Sequence, residues 1–419
     1  METLFPPLSV EIRRQVDSIP ALVDQVLPIP KRFRSGLSRD VAELSRLLTS
    51  GRGERNDSYL NEAPLLSAYL RYFLPWNVYR LARLFPSLPL PLAAGDALTD
   101  LGSGPLTLPI ALWISRPDLR QLPLEFRCLD RSGPALEAGK KIFTALTSSN
   151  TAANTSCPWT IKTIRASLGE PVRFSKAKLL TAVNLFNELF WKLPGVSALA
   201  SFTEKQARIL SPLTLESGSI LALEPGVPRC GEFISLLRAS LSAKGRLPLS
   251  PCPHTGPCPL PGIPAASRSE KADTKWCHFA FTTTDAPAAL HRLSEAAGIP
   301  KERAVLSFLL AGPVNAALAP ASEPAPQDSL PVRVISDPFP LTGEGKRNGP
   351  AALHGRYGCS VRGLVLVSGK RDGVETLESG TQVTLTATTP EKRDGKSGAL
   401  VLGLSSSLSL ASPGFIDII

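Results

Sequence analysis

Between Ala97 and Lys244 short apolar runs alternate with amphipathic stretches, and this alternation limits the possible folds more than any other feature of the chain. ALTDLG reads as a strand ending in glycine-rich chain, and LTLPIALWISR as the helix after it. LEFRCLD, AKLLTAVNLF and SGSILALEPG read as further strands, with SGPALEAGKKIFTAL, ELFWKL, EKQARILSPLT and EFISLLRASLSAKG as the helical stretches around them. Strands that recur with helices between them are joined by crossovers, and crossovers build a parallel, doubly wound α/β sheet covered on both faces. Hydrophobic residues are 43% of the chain and charged residues 20%, a globular mixture that excludes a disordered chain, a collagen or a coiled-coil rod.

The flanks read differently. Residues 1–92 form a helical cap: SVEIRRQVDSI, DVAELSRLLTS and NEAPLLSAYLRYF place apolar residues three and four apart. In the last of these Leu65, Leu66, Tyr69, Leu70 and Phe73 make one stripe, which Pro75 is expected to interrupt before a second helical stretch, NVYRLARLF. The α/β domain spans 93–312 and carries, at about 250–280, an aperiodic segment dense in Pro, Ser and Cys. A helix, DAPAALHRLSEAAG, and a strand, AVLSFLLAG, complete that domain. A Pro/Ala-rich linker covers 313–330, and 331–419 is expected to be a small β module built from RVISD, RGLVLVSG, TQVTLTATT and GALVLGL.

Lys and Arg exceed Asp and Glu by +10, which favours an acidic partner such as nucleic acid, yet the excess is spread thinly and makes no basic tail. One local cluster, Lys31, Arg32, Arg34 and Arg39, has no acid between Asp24 and Asp40. No apolar run approaches the ~20 residues of a membrane span. The N-terminus lacks a basic stretch followed by an apolar one, so no secretory signal is expected. A soluble, cytoplasmic protein that meets no membrane is the expectation.

Two constellations can carry chemistry. The first is Asp100-Leu-Gly102-Ser-Gly104-Pro between a strand and a helix. Glycine there lets the backbone approach a ligand, and the helix start offers free N–H groups. Asp130, at the end of the next strand, can accept both hydroxyls of a ribose. The full dinucleotide pattern G-x-G-x-x-G is absent, Thr107 standing in the third glycine's place, so S-adenosylmethionine is favoured over NAD. The D-x-G-x-G pattern resembles motif one of the class I methyltransferases. That resemblance makes Asp130 the ribose-binding acid and sets Asn184, after the third strand, in the methyl-donor pocket.

The second constellation is a set of cysteines. Cys252 and Cys258 are separated by five residues, and Cys277 follows after eighteen more, in Trp276-Cys277-His278-Phe279. Thiolates in irregular, Pro-rich chain suit a metal, with Cys359, His254 and His278 as candidates for a fourth ligand. Zinc held by three Cys and one His, and an iron–sulfur cluster held by four Cys, both satisfy the spacing.

PCPHTGPCPL followed by WCHF, behind LTDLGSGP and LALEPGVPRCGEFI, resembles the methyltransferase-like proteins of the mitochondrial ribosomal small subunit and their bacterial homologues. NLFNEL and AYLRYFLPWNVYRL are also similar to that family. The resemblance implies a Rossmann-like class I methyltransferase sheet carrying a [4Fe–4S] cluster on Cys252, Cys258, Cys277 and Cys359, with Cys128, Cys157 and Cys230 structural. It implies a factor in small-subunit assembly or translation that contacts rRNA. Lys31, Arg32 and Arg34 in the cap, and Arg268, Lys271 and Lys275 in the Cys-rich loop, are the expected phosphate contacts. No N-P-P-Y-type signature follows the third strand, so no catalytic residue and no methyl acceptor are named. Two other readings stay open: an active rRNA or protein methyltransferase without lasting ribosome association, and a zinc-stapled protein with a vestigial methyl-donor pocket.

Overall fold

The computed structural model describes residues 2–56, 58–150, 157–170, 172, 174–260, 275–317, 329–341, 353–387 and 390–404. A two-residue strand, β1 (Glu2–Thr3), precedes the helices α1 (Val10–Val26), α2 (Lys31–Arg34), α3 (Leu37–Leu48), α4 (Ala63–Ala68) and α5 (Leu74–Leu84). Ser9 starts α1 by accepting a hydrogen bond from the Ile12 amide at 3.3 Å, and Val16, Ile19 and Val23 bury one face of the helix. The break expected at Pro75 does not occur. Pro75 falls in the first turn of α5, where its missing N–H costs nothing, and a π-helical turn, Tyr69–Phe73, joins α4 to α5. α5 is buried almost all round because it packs on both α1 and the α/β domain. One hydrophobic core therefore runs from Val16 and Trp76 into Phe126, Leu306 and Phe308.

The main sheet contains β2 (Ala97–Leu101), β3 (Glu125–Asp130), β4 (Thr160–Arg165), β5 (Ala177–Val183), β6 (Thr214–Pro225), β7 (Arg246–Ser250), β8 (Phe279–Thr282) and β9 (Arg303–Pro313). Their order is β4-β3-β2-β5-β6-β9-β7, parallel from β4 to β6, with β9 antiparallel to β6. Helices α6 (Thr107–Ser115), α7 (Gly133–Asn150), α8 (Phe186–Leu189), α9 (Gly195–Leu210), α10 (Pro228–Ser242) and α11 (Ala288–Ala296) occupy the connections. The expected doubly wound α/β architecture is what the chain forms. Strand order reverses between β2 and β5, and a crevice opens outside the carboxyl ends of such a pair.

Three strands of this sheet escape a reading by periodicity. β4 is an edge strand that buries no side chain deeply, and its lysine and arginine mask the pattern. β7 and β8 both pair antiparallel with β9, β7 with its second half and β8 with its first. They form one interrupted edge strand, and the Cys-rich segment leaves the sheet between them.

The C-terminal strands are β10 (Ser329–Val334), β11 (Phe339–Pro340), β12 (Leu353–Ser360), β13 (Gly363–Lys370), β14 (Thr381–Thr386) and β15 (Leu400–Gly403). They form a second sheet in the order β1-β14-β10-β12-β13-β15, antiparallel except for β13 with β15, over a core of Val332, Val365, Val367 and Leu400. Its outer strand comes from the opposite end of the chain, with Glu2 opposite Gln382. Among the described residues no helix is long and apolar enough to cross a membrane.

Candidate functional site

A cleft of about 740 Å³ opens at the reversal point between β2 and β5. Its floor is Gly102, Gly104, Asp130 and Asn184, and residues of the helical cap, including Tyr59, Asn61 and Tyr69, form its roof. The volume is that of a small-molecule site. Gly102 and Gly104 take left-handed backbone, with φ of +69° and +51°. A Cβ on Gly102 would lie 2.7 Å from Leu185 Cδ1, so only glycine lets the two loops meet; a Cβ on Gly104 would point into open space. Leu106 repeats the left-handed turn at φ +57°, although its side chain is fully buried. A left-handed non-glycine residue costs ~1–2 kcal/mol, which burial of the leucine offsets.

Asp130 is the hinge of the floor. Its two carboxylate oxygens accept from the amides of Gly104 and Ser132, each at 2.8 Å, so the acid shapes the loop as well as facing the cleft. Asn184 adopts φ +56°, and its buried Oδ1 has no partner, an unmet acceptor in the wall of the cleft. Asp100 is placed differently from the expectation. It is only 3% exposed, does not line the cleft, and accepts a 2.6 Å hydrogen bond from Thr181 Oγ1. Burial pushes its pKa up to about 6. Its contribution is to hold β2 against β5 beneath the site.

One cluster was not legible in the sequence. Glu188 lines the cleft, pairs with Arg55 at 2.9 Å and with Arg131 at 3.6 Å, and accepts from the Tyr59 hydroxyl at 3.2 Å. Burial raises its pKa against the pull of the two arginines. Tyr59 and Glu188 lie on elements far apart in the chain, and the only local clue was the acid four residues after Asn184. Glu224, at the end of β6, is a structural acid. It accepts from the Phe186 and Asn187 amides at 2.7 and 3.1 Å, and burial pushes its pKa up to about 7.

The four expected ligand cysteines come from three segments: Cys252 and Cys258 after β7, Cys277 before β8, and Cys359 on β12. Burial first, then the thiols of Cys252, Cys258 and Cys359, raise the pKa of Cys277. Buried Arg238 donates to Cys252 Sγ at 3.2 Å and, through Nη2, to the His254 carbonyl at 3.2 Å and the Gly256 carbonyl. His254 Nε2 lies 3.6 Å from Cys359 Sγ. As placed, no three His, Cys, Asp or Glu side chains among the described residues form a coordination sphere. Cys128 and Cys230 are buried in separate hydrophobic clusters of the α/β domain, and Cys157 is half-buried. Lys31, Arg32 and Arg34 form the exposed α2, and Lys275 lies over the Tyr357 ring at 4.9 Å. Arg268 and Lys271 lie outside the described residues.

The model of the family described as mitochondrial small ribosomal subunit Rsm22 matches residues 99–343, more than half of the chain. No curated protein matches the sequence. Among solved structures, a SAM-dependent methyltransferase from Thiobacillus denitrificans in complex with S-adenosyl-L-homocysteine is 13% identical over 57% of this chain and 90% of its own, with a TM-score of 0.31. One from Geobacter sulfurreducens, also with S-adenosyl-L-homocysteine, is 12% identical over 65% and 98%, with a TM-score of 0.30. YjhP from E. coli is 16% identical over 43% of this chain and 56% of its own, with a TM-score of 0.24, so the present chain spans little more than half of that protein. The fold rests on the strand order above, not on these slight likenesses.

Proposed function

This chain belongs to the Rsm22 family of the mitochondrial small ribosomal subunit, and from that premise we propose that it is an S-adenosylmethionine-binding, methyltransferase-like factor that works on the small ribosomal subunit or its precursor. The observation that carries the reading is the glycine-lined cleft at the β2–β5 reversal, with Asp130 at a strand end and the unpartnered Asn184 Oδ1 in its wall. Asp130 would accept the ribose hydroxyls, Gly102 and Gly104 would let the ligand approach the backbone, and Asn184 would meet a donor of the ligand. Bound there, S-adenosylmethionine supplies an electrophilic methyl group on a sulfonium. The proposed compartment is the cytoplasm, and the proposed ribosomal contact is rRNA.

Cys252, Cys258, Cys277 and Cys359 would hold a [4Fe–4S] cluster. The support is the placement of the four cysteines on the segments around β7, β8 and β12, with buried Arg238, a cation whose charge thiolate sulfur would balance, donating to Cys252 Sγ. The alternative of zinc on three cysteines and one histidine draws on the approach of His254 to Cys359. The deciding experiment for function is sedimentation of cell extract in parallel with calorimetry on the pure protein. Co-migration with small subunits or their precursors, and saturable binding of S-adenosylmethionine, are expected. Crosslinking that recovers chiefly transfer RNA, messenger RNA or protein would overturn the ribosomal reading.

A further inference from the structure

Trp191 stands in the turn just past α8, two residues beyond Leu189 in the cleft wall, and is the one exposed tryptophan among the described residues, at 43%. Its indole is not loose. The Arg52 guanidinium lies over it, 4.6 Å from the ring centre. Arg52 is itself anchored, donating through Nε to the Leu48 carbonyl at 2.6 Å and through Nη1 to the Asn187 carbonyl at 3.5 Å. One face of the indole is thus held by a fixed cation from the cap while part of the residue meets water. Exposed Lys192 is its chain neighbour.

A fixed, exposed aromatic plane among cations matches an unpaired nucleobase with its flanking phosphates, because every base has a π face and its backbone is anionic. A protein partner would be met by a wider apolar patch, and of the residues flanking Trp191 in the chain Leu189 is the exposed apolar one. We propose that Trp191 is a stacking platform for an unpaired RNA base beside the cleft wall at Leu189, with Arg52 backing the indole and Lys192 meeting an adjoining phosphate. This rests on the ribosomal reading for its biological source of RNA, and names the part of the RNA that the site takes.

The test is titration of the full-length protein with a short oligouridylate at low salt, read by tryptophan emission for the wild type and by polarisation of a labelled oligonucleotide for all variants. The wild type is expected to bind with quenched emission. Trp191→Ala should bind roughly tenfold more weakly, Trp191→Phe should recover most of the loss, and both should bind S-adenosylmethionine as the wild type does, which reports an intact fold. Equal oligonucleotide affinity of Trp191→Ala and wild type would overturn the platform. So would a loss of subunit co-sedimentation by Trp191→Ala with oligonucleotide binding unchanged, since that points to a protein contact. If the wild type binds the oligonucleotide through Trp191 yet does not sediment with small subunits, the ribosomal reading fails and the platform stands.

Discussion

Asp100 and Asp130 stand at the ends of neighbouring strands and are put to different uses. Asp100 is sealed beneath the cleft with its pKa pushed up to about 6 by burial. An unfolded chain releases that proton near pH 4, so between about pH 4 and 6 the folded state holds more protons than the unfolded one, and stability falls as pH rises through this window. Asp100→Asn should flatten that part of the profile and, near pH 7, remove a burial cost of order ~3 kcal/mol; urea melts of both proteins across pH 4–7 check this, and parallel profiles would refute it. Asp130 faces the cleft and also pins the Gly104 and Ser132 amides. Asp130→Ala is expected to weaken S-adenosylmethionine binding by ~1.5–3 kcal/mol, about tenfold to a hundredfold. Calorimetry that finds wild type and variant equal would remove Asp130 from the site.

At the scale of elements, the site depends on how closely α7 approaches the glycine loop. A Cβ on Gly139 would fall 2.3 Å from the Pro105 carbonyl carbon, a contact with backbone that no side-chain rotation relieves. Gly139→Ala should therefore destabilise the protein by ~1–3 kcal/mol and loosen the loop. Gly104→Ala meets no neighbour but must hold φ +51°, at a cost of ~1 kcal/mol or more. The separation is visible by measuring both quantities: the Gly139 variant should lose more in denaturant midpoint, and the Gly104 variant relatively more in ligand affinity, because its new methyl projects into the cleft.

For the whole molecule, the cysteines matter because they lie where the two sheets meet. Cys252, Cys258 and Cys277 flank the gap between β7 and β8, Cys359 belongs to the second sheet, and Arg333 of that sheet donates to the Pro251 carbonyl at 3.0 Å. A cluster on these four residues would couple the sheets, so Cys252→Ser and Cys258→Ser should lower iron content and thermal stability together. Protein purified without oxygen is expected to be brown with ~4 Fe per chain. Colourless anaerobic protein with stoichiometric zinc would replace the cluster by the three-cysteine, one-histidine site.

What the sequence determined by itself is the part of this protein recorded in local pattern. The apolar runs of β2, β3, β5 and β6 and the glycines at 102 and 104 predict a parallel sheet with a ligand loop, because burial on both faces and left-handed backbone each leave a mark at the residues concerned. Tertiary structure decided the rest. Leu106 could not be read as left-handed, since its conformation is maintained by the core around it. β4 is a charged edge, and β1 pairs with β14 from the other end of the chain, a contact that leaves no periodicity in either segment. Tyr59 meets Glu188, and Arg52 meets Trp191, only because the helical cap folds down over the carboxyl end of the sheet. Such meetings depend on the path of the backbone between the partners, and no short window of residues contains that path.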